Sequence, residues 1–365
     1  MALPDAGPDD GAPLGEADFD HVFLTSDLAG DGSPLLLAVS GGPDSTSLMR
    51  AAAAWSAGRG GPPLLVATVD HGLRPESRFE AEAVGRAAAA CGLPHEILTW
   101  DPPRGASQAR AREARYRLLA EHARAHGASR LATAHTLDDQ AETVLMRLAR
   151  GSGPAGLAGM SPVSTRRGLL HLRPFLGLRK AALVATCRAR GWDFVQDPTN
   201  ADPRHARPRW RALCGALAAE GLTPERLARL AGRMDRAEAA LEAMAGKAAR
   251  EAEWPGPEGG LDLARLLSWP DEIVLRVLFR TLRPDGEPGH LRLGRVEDAF
   301  AALRAAAASG RALRLTLAGR LLALGRDGRL TASPEPARRR GRRGPALTEI
   351  AAGRPHSLGI GSRDA

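Results

Sequence analysis

The sequence predicts an α/β protein: a parallel sheet with helices on both faces, followed by a smaller, mainly helical domain. The sheet is predicted by short, continuous apolar runs that alternate with helical stretches from Pro34 to about Arg190. Strands buried on both faces read this way. The second domain is predicted by a shift in composition from Trp210 onward toward Ala, Leu, Arg and Glu. At 365 residues the chain is also too long for one ordinary core.

Residues 35–39 form the first strand, followed by a glycine turn and a helix over 45–55. The alternation continues with a strand at 64–69, a helix at 76–91, a strand at 96–100 and a helix at 107–126. A strand at 130–134 and a helix at 138–150 complete it, and ligands of such sheets bind beyond the carboxyl ends of the strands. A glycine-rich loop at 151–159, a short segment at 173–175, a helix at 178–190 and turn-rich residues 196–203 close the first domain. Long helices follow over 210–253, broken by the Pro/Gly segment 254–260. Residues 261–309 read as helical again, and two short strands are expected at 313–317 and 321–324.

Charge is unevenly placed. The net charge is +8, from 50 Lys+Arg against 42 Asp+Glu. Residues 1–33 hold Asp5, Asp9, Asp10, Glu16, Asp18, Asp20, Asp27 and Asp31 and no Lys or Arg, so the rest of the chain carries +16. Only Lys180 and Lys247 are lysines. A GC-rich genome is one reading of the scarce lysine, but it does not account for the excess of positive charge, which points to a polyanionic partner that arginine contacts through phosphate. No run approaches the ~18 apolar residues of a membrane span, and residues 1–30 lack the basic start of a signal peptide. Cys91, Cys187 and Cys214 are scattered, which disfavours disulfides, a zinc ribbon and a CxxC redox site. A soluble, cytoplasmic protein without membrane partners is expected.

The sharpest local feature is Ser40-Gly41-Gly42-Pro43-Asp44-Ser45, between a strand and a helix. Two glycines allow close backbone approach, and exposed N–H groups at a helix start attract phosphate. Ser40 and Ser45 add hydroxyl donors, and Asp44 suits Mg²⁺, which prefers oxygen ligands. The bland alternative is a plain strand-to-helix turn with Asp44 or Ser45 near an N-cap; the whole hexapeptide in this setting favours phosphate. It is not a Walker A loop, because the one Gly-Lys pair, Gly246-Lys247, precedes Ala248 in an Ala-rich helix. The GxGxxG dinucleotide fingerprint is missing as well.

Further segments narrow the reading: 69–74 (VDHGLR), 108–113 (QARARE) with Arg115 and Tyr116, and 134–143 (AHTLDDQAET). Residues 150–153 (RGSG) with Gly156 and Leu157, Arg173-Pro174, and 197–200 (DPTN) with Arg207, Arg209 and Arg211 complete the set. The hexapeptide resembles the SGGxDS loop of the PP-loop (N-type) ATP pyrophosphatases, whose fold is Rossmann-like. The ordered set resembles the tRNA(Ile)-lysidine synthetases, closely over about 34–215 and only in character elsewhere.

The resemblance implies a two-step reaction. The O2 of a wobble cytidine, in isoleucine tRNA with a CAU anticodon, attacks the α-phosphate of ATP and releases pyrophosphate. The amine of L-lysine then displaces AMP from C2 and leaves lysidine. Implied ATP-binding residues are Ser40, Gly41, Gly42, Pro43, Asp44, Ser45, His71, Arg112, Arg115 and His135, with Asp44 also holding Mg²⁺. Asp44, Asp138 and Glu142 are the implied catalytic residues. Asp138 and Glu142 share a helix face by their spacing; spacing alone favours an N-cap and a solvated glutamate, and the resemblance to the family motif reverses that. Asp139 points elsewhere on a helix. His71 and His135 are given positioning roles. The family often has a second histidine where this chain has Thr136, which puts any essential role for that histidine in doubt here.

Arg204, Arg207, Arg209 and Arg211 form a basic stretch expected to bind tRNA phosphates. Trp210 suits either base stacking or, as favoured for it alone, the core. Arg226, Arg229, Arg233 and Arg236 could extend the footprint. The domains expected are an acidic, disordered leader at 1–33 with a short helix at 19–28, a catalytic domain at 34–212, a mainly helical tRNA-binding domain at 213–332, and a basic flexible tail at 333–365. The tail arginines 338–340, 342 and 343 fit nonspecific attraction or simple low complexity. The assembly state stays open, a dimer included. Two alternatives are another PP-loop tRNA-modifying enzyme such as a thiolase, disfavoured by the isolated cysteines, and a noncatalytic tRNA-binding protein, disfavoured by intact Asp44, Asp138 and Glu142.

Overall fold

Four apolar runs build the centre of the first sheet. In the computed structural model, which describes residues 11–72, 76–101, 103, 107–195, 206–256, 260–283 and 293–335, β1 (Leu35–Ala38) is buried along its whole length. It pairs in parallel with β2 (Leu64–Asp70), Leu35 facing Leu64, and with β4 (Arg130–Ala132), Leu35 facing Arg130. β3 (His95–Thr99) extends one edge in parallel, and the hairpin of β5 (Val163–Arg166) and β6 (Leu169–Leu172) completes the other. The order is β3-β2-β1-β4-β6-β5, with only β5 antiparallel. Chain order reverses between β1 and β4, so a crevice opens at their carboxyl ends.

Helices α2 (Pro43–Arg59), α3 (Glu76–Ala89), α4 (Gln108–Ala125), α5 (Leu137–Leu148), the single-turn α6 (Pro154–Leu157) and α7 (Lys180–Ala189) connect these strands or follow them. Leu35, Leu37 and Val39 face one core with Leu48, Met49 and Leu183. Leu36 and Ala38 face a second with Tyr116, Leu119 and Leu131. Two buried layers on opposite faces of one strand are what the unbroken apolar run requires. The sequence offers no alternating signal for the β5–β6 hairpin, because edge strand β5 is the polar segment Val-Ser-Thr-Arg.

The acidic leader is a correction. From residue 11 it is part of the first unit: α1 (Glu16–Thr25) buries Phe19, Val22 and Phe23 against Trp55 and Phe175. Arg130, itself buried at the start of β4, donates to the carbonyls of Leu28 (3.0 Å) and Ser33 (2.8 Å). The charge pattern concealed this, since Glu16, Asp18 and Asp20 interleave with the buried Phe19, Val22 and Phe23 on one helix. Residues 1–10 lie outside the described residues.

The first compact unit runs through Leu241 and the second begins at Glu242. This division falls beyond residue 212 for a packing reason. α8 (Ala206–Ala219) and the first part of α9 (Pro224–Glu251) lay Trp210, Leu217, Leu227 and Ala231 against Ala141, Val144 and Leu145 of α5. Trp210 is therefore packed rather than presented. In the second unit, α10 (Leu263–Leu267), α11 (Asp271–Leu282) and α12 (Leu293–Ala308) accompany an antiparallel sheet. Its order is β7 (Leu261–Asp262), β10 (Arg329–Pro334), β9 (Arg320–Leu324), β8 (Leu313–Leu317). The expected strands β8 and β9 are present; β7 is too short, and β10 too polar, to read as strands. No helix of the described residues is long and apolar enough to cross a membrane.

Candidate active site

The loop after β1 is held in a tight turn. Gly41 has φ +87°, which favours glycine, and a Cβ there would crowd Val84 Cγ2 at 3.2 Å as well. The Ser40 N–H donates to Ser45 Oγ (3.2 Å), and that hydroxyl donates to the Gly42 carbonyl (3.1 Å). Gly42 is the N-cap of α2 and Pro43 its first residue. The first N–H groups of the helix are left without side-chain caps, an arrangement suited to phosphate.

Asp44, in the first turn of α2, pairs through Oδ2 with the ammonium of Lys180. Its Oδ1 is buried without a partner. Burial pushes this carboxyl above its ordinary value and Asp139 and Asp138 push the same way, against the pull of Lys180. Lys180 is the first residue of α7, which packs against α2, and its own backbone N–H donates to Asp138 Oδ2 (2.7 Å). Asp138 thus caps α7, 42 residues away, and Arg179 lies 3.6 Å from its other oxygen.

α5 carries its own cap. Thr136 accepts from the Asp139 N–H, and Asp139 accepts from the Thr136 N–H (2.9 Å), so Thr136 is half of a capping box. Asp139 therefore turns back on the helix start, as adjacent positions require. Gln140 exchanges two hydrogen bonds with Met160, 2.9 and 2.7 Å, and pins the end of the glycine-rich loop. Glu142 is buried and accepts from Arg211 Nε (2.8 Å), while its Oε2 has no partner. Burial raises the Glu142 carboxyl above its ordinary value, opposed by Arg211. Arg211 is consequently a partner of Glu142. Its neighbour Arg209 is exposed on α8, Arg207 is half-buried, and Arg204 lies outside the described residues.

The opposite wall is cationic. His135, just past β4, is held well below its ordinary pKa by burial and by Arg173, Arg115, Arg112 and Arg207. Arg112 is lowered by desolvation and by Arg207, Arg166 and Arg115, opposed by Tyr116. His71, after β2, is lowered by burial and by Arg115; its ring meets Trp100 edge-on at 6.2 Å, and its Nδ1 is buried without a partner. Four or more guanidiniums within mutual influence make an anion site.

One chain of polar contacts was not legible in the sequence. Arg173 Nη2 donates to His171 Nδ1 (3.1 Å), so that ring carries its proton on Nε2. His171 Nε2 then donates to Thr133 Oγ1 (2.8 Å), and the hydroxyl proton of Thr133 is directed to His135 Nδ1 (2.7 Å). His135 is left with an Nε2–H donor. His171 is fully buried, and burial with Arg173 lowers its pKa to about 2, which keeps this ring neutral.

Two unpartnered carboxylate oxygens, on Asp44 and Glu142, therefore share a crevice with the phosphate-type loop, Asp138 and Asp139. That donor set fits a hard divalent cation bound through oxygen, and Mg²⁺ meets it.

A family model described as a PP-loop domain matches residues 19–216. The chain is 55% identical over 318 residues to the tRNA(Ile)-lysidine synthase of Methylobacterium nodulans, covering 84% of this chain and 92% of that protein. It is 49% identical to that of a Bradyrhizobium species over 354 residues, 91% of this chain and 98% of the relative. The fold also resembles the U34-tRNA thiolase NcsA of Methanococcus maripaludis, with a TM-score of 0.51 over 59% of this chain and 77% of that one, at 15% identity. With the loop, the carboxylates and the length of these matches in agreement, the chain belongs to the tRNA(Ile)-lysidine synthase family of PP-loop proteins.

Proposed function

We propose that this chain uses ATP to ligate L-lysine to C2 of the wobble cytidine of isoleucine tRNA bearing a CAU anticodon. The observation that carries the reading is the shared crevice of the Ser40–Ser45 loop, Asp44 with Lys180, and Glu142 with Arg211.

In the first step cytidine O2 bonds to the α-phosphorus, the bond to the β-phosphate oxygen breaks, and pyrophosphate leaves. The Ser40 and Ser45 hydroxyls and the N–H groups opening α2 hold the departing phosphates. Asp44 would hold Mg²⁺, which when bound would supply charge neutralisation there. Lys180 stands on Asp44 where a cation belongs, and its ammonium is within reach to bind the departing phosphates. Arg112, Arg115 and the Nε2–H of His135 orient the nucleotide, with His71 beside Arg115.

In the second step the lysine amine bonds to C2, the C2–O2 bond breaks, and AMP departs with that oxygen. Glu142 accepts the amine proton; its raised pKa makes it a stronger base than an ordinary carboxylate. Arg211 fixes its orientation, and Asp138 positions both α7 and the lysine ammonium. Arg207 and Arg209, with Arg204, track the tRNA backbone. The thiolase alternative finds no support in the cysteines, which stand on separate elements; Cys187 is buried against Ser47.

The test is to withhold lysine. With ATP, Mg²⁺ and the CAU tRNA, adenylated tRNA and pyrophosphate should accumulate together, and lysine added later should discharge AMP. Release of pyrophosphate without a tRNA-bound nucleotide would refute the order of steps.

A further inference from the structure

Glu96, His122 and His126 form a cluster at the end of the first sheet away from the crevice. Glu96 is the second residue of β3, at its amino end, whereas the crevice lies at the carboxyl ends. His122 lies in the last turn of α4 and His126 is its C-cap. One ligand atom from each residue lies within 4.8 Å of the others.

The geometry points to a transition-metal site here: we propose that Glu96, His122 and His126 bind a single Zn²⁺-type divalent ion. Its partners are two imidazoles and one carboxylate.

Three observations carry this. His122 Nδ1 is 3.4 Å from Glu96 Oε2, about the ~3.4 Å edge of a tetrahedron built on ligand distances of ~2.1 Å. His126 Nδ1 lies 3.0 Å from the His122 carbonyl. A carbonyl only accepts, so Nδ1 carries the proton and Nε2 presents its lone pair. This is how an outer hydrogen bond sets a metal-binding tautomer. The two histidines are four apart at a helix end, on one face, their ring centroids 4.2 Å apart. The negative end of the α4 dipole favours a cation there as well.

The donor set selects the ion. Two nitrogens and one oxygen suit Zn²⁺, Ni²⁺ or Cu²⁺, whereas Mg²⁺ and Ca²⁺ demand oxygen throughout. Glu96 and His126 are exposed and can turn inward, while His122 is buried and fixed. A fourth position stays open to water. Since the ligands come from β3 and α4, the ion would fasten the end of α4 to the edge strand. Binding only the folded state, it would raise stability by mass action.

The test uses the full chain, with Zn²⁺ titrated by calorimetry and Co²⁺ by visible absorption, in a background of Mg²⁺. Wild type should bind one such ion per chain at this site, with the intense absorption of a four-coordinate Co²⁺ centre, and should melt higher with Zn²⁺. His126→Ala removes an exposed ring and should weaken this binding at least tenfold and abolish both signals, while lysine transfer with Mg²⁺ is unchanged. Glu96→Gln should weaken it as well and keeps the volume of the side chain. Zn²⁺ affinity within tenfold of wild type in His126→Ala, or no binding in wild type, overturns the proposal.

Discussion

The ammonium of Lys180 rests on Oδ2 of Asp44, while Oδ1 of the same carboxylate is buried without a partner. The two residues lie 136 positions apart and stand at the starts of α2 and α7, helices that pack against each other beside the crevice. A cation on one oxygen and a vacancy for hydrogen bonding on the other are the features expected of a metal ligand with a built-in substitute for its metal.

Lys180→Met should therefore slow pyrophosphate release by about 10²–10³-fold, the usual cost of losing one donor aimed at developing charge. Without Lys180 the Asp44 carboxyl rises further. The acid limb of the first step should move to higher pH than in wild type, read from single-turnover pyrophosphate release. An unmoved pH profile would show that Lys180 does not govern Asp44.

Glu142 and Arg211 make the second prediction. Glu142→Gln should reduce lysine transfer by about 10²–10⁴-fold and leave formation of adenylated tRNA far less affected. Arg211→Met strands an ionised carboxylate inside the protein and should cost about 1–3 kcal/mol at neutral pH. The sign follows from the raised folded-state pKa: folding works against the ionised form, and Arg211 offsets that penalty. The cost should shrink as the pH falls toward 4.5, the ordinary value for this side chain, where protonation removes the charge. Urea unfolding at the two pH values checks this; a cost independent of pH would contradict it.

The polar chain from Arg173 to His135 gives a third. Thr133→Val keeps the shape of the side chain and removes the hydroxyl that joins the two rings. Nitrogen NMR of His135 should show the Nε2–H tautomer in wild type and a mixture in the variant, with a stability loss of about 1–3 kcal/mol. A pure Nε2–H form in the variant would mean that something other than Thr133 fixes the ring.

The acidic leader gives a fourth. Phe23 is fully buried between Trp55 and Phe175, so Phe23→Ala should destabilise the first unit by about 3–5 kcal/mol. Denaturant unfolding followed by Trp55 fluorescence measures it. A leader without structure would show no change.

How much of this was legible in the sequence depends on separation along the chain. β1, β2 and β4 announce themselves because a strand covered on both faces has no polar position to spare. Asp44, Asp138 and Glu142 are readable because each lies in a contiguous motif, 40–45 or 134–143, that resembles the family pattern; spacing alone leaves Asp138 and Glu142 as a cap and a solvated side chain. Arg211 meets Glu142 across 69 residues and His171 meets Thr133 across 38. Neither spacing has a local period, so the basic stretch around 207–211 reads as one surface when one of its members belongs to the crevice. The leader misleads for the opposite reason: its charge is local and visible, while the burial of Phe19 and Phe23 depends on Phe175, far along the chain.

The central claim is tested most directly by lysine transfer itself. Protein, ATP, Mg²⁺ and labelled lysine are incubated with isoleucine tRNA carrying a CAU anticodon, and with the same tRNA in which the wobble cytidine is replaced by uridine. The account predicts that label enters only the cytidine-bearing tRNA, with one AMP and one pyrophosphate released for each lysine bound. Folded protein that binds ATP but transfers no lysine to the CAU tRNA, or labels both tRNAs equally, would contradict it.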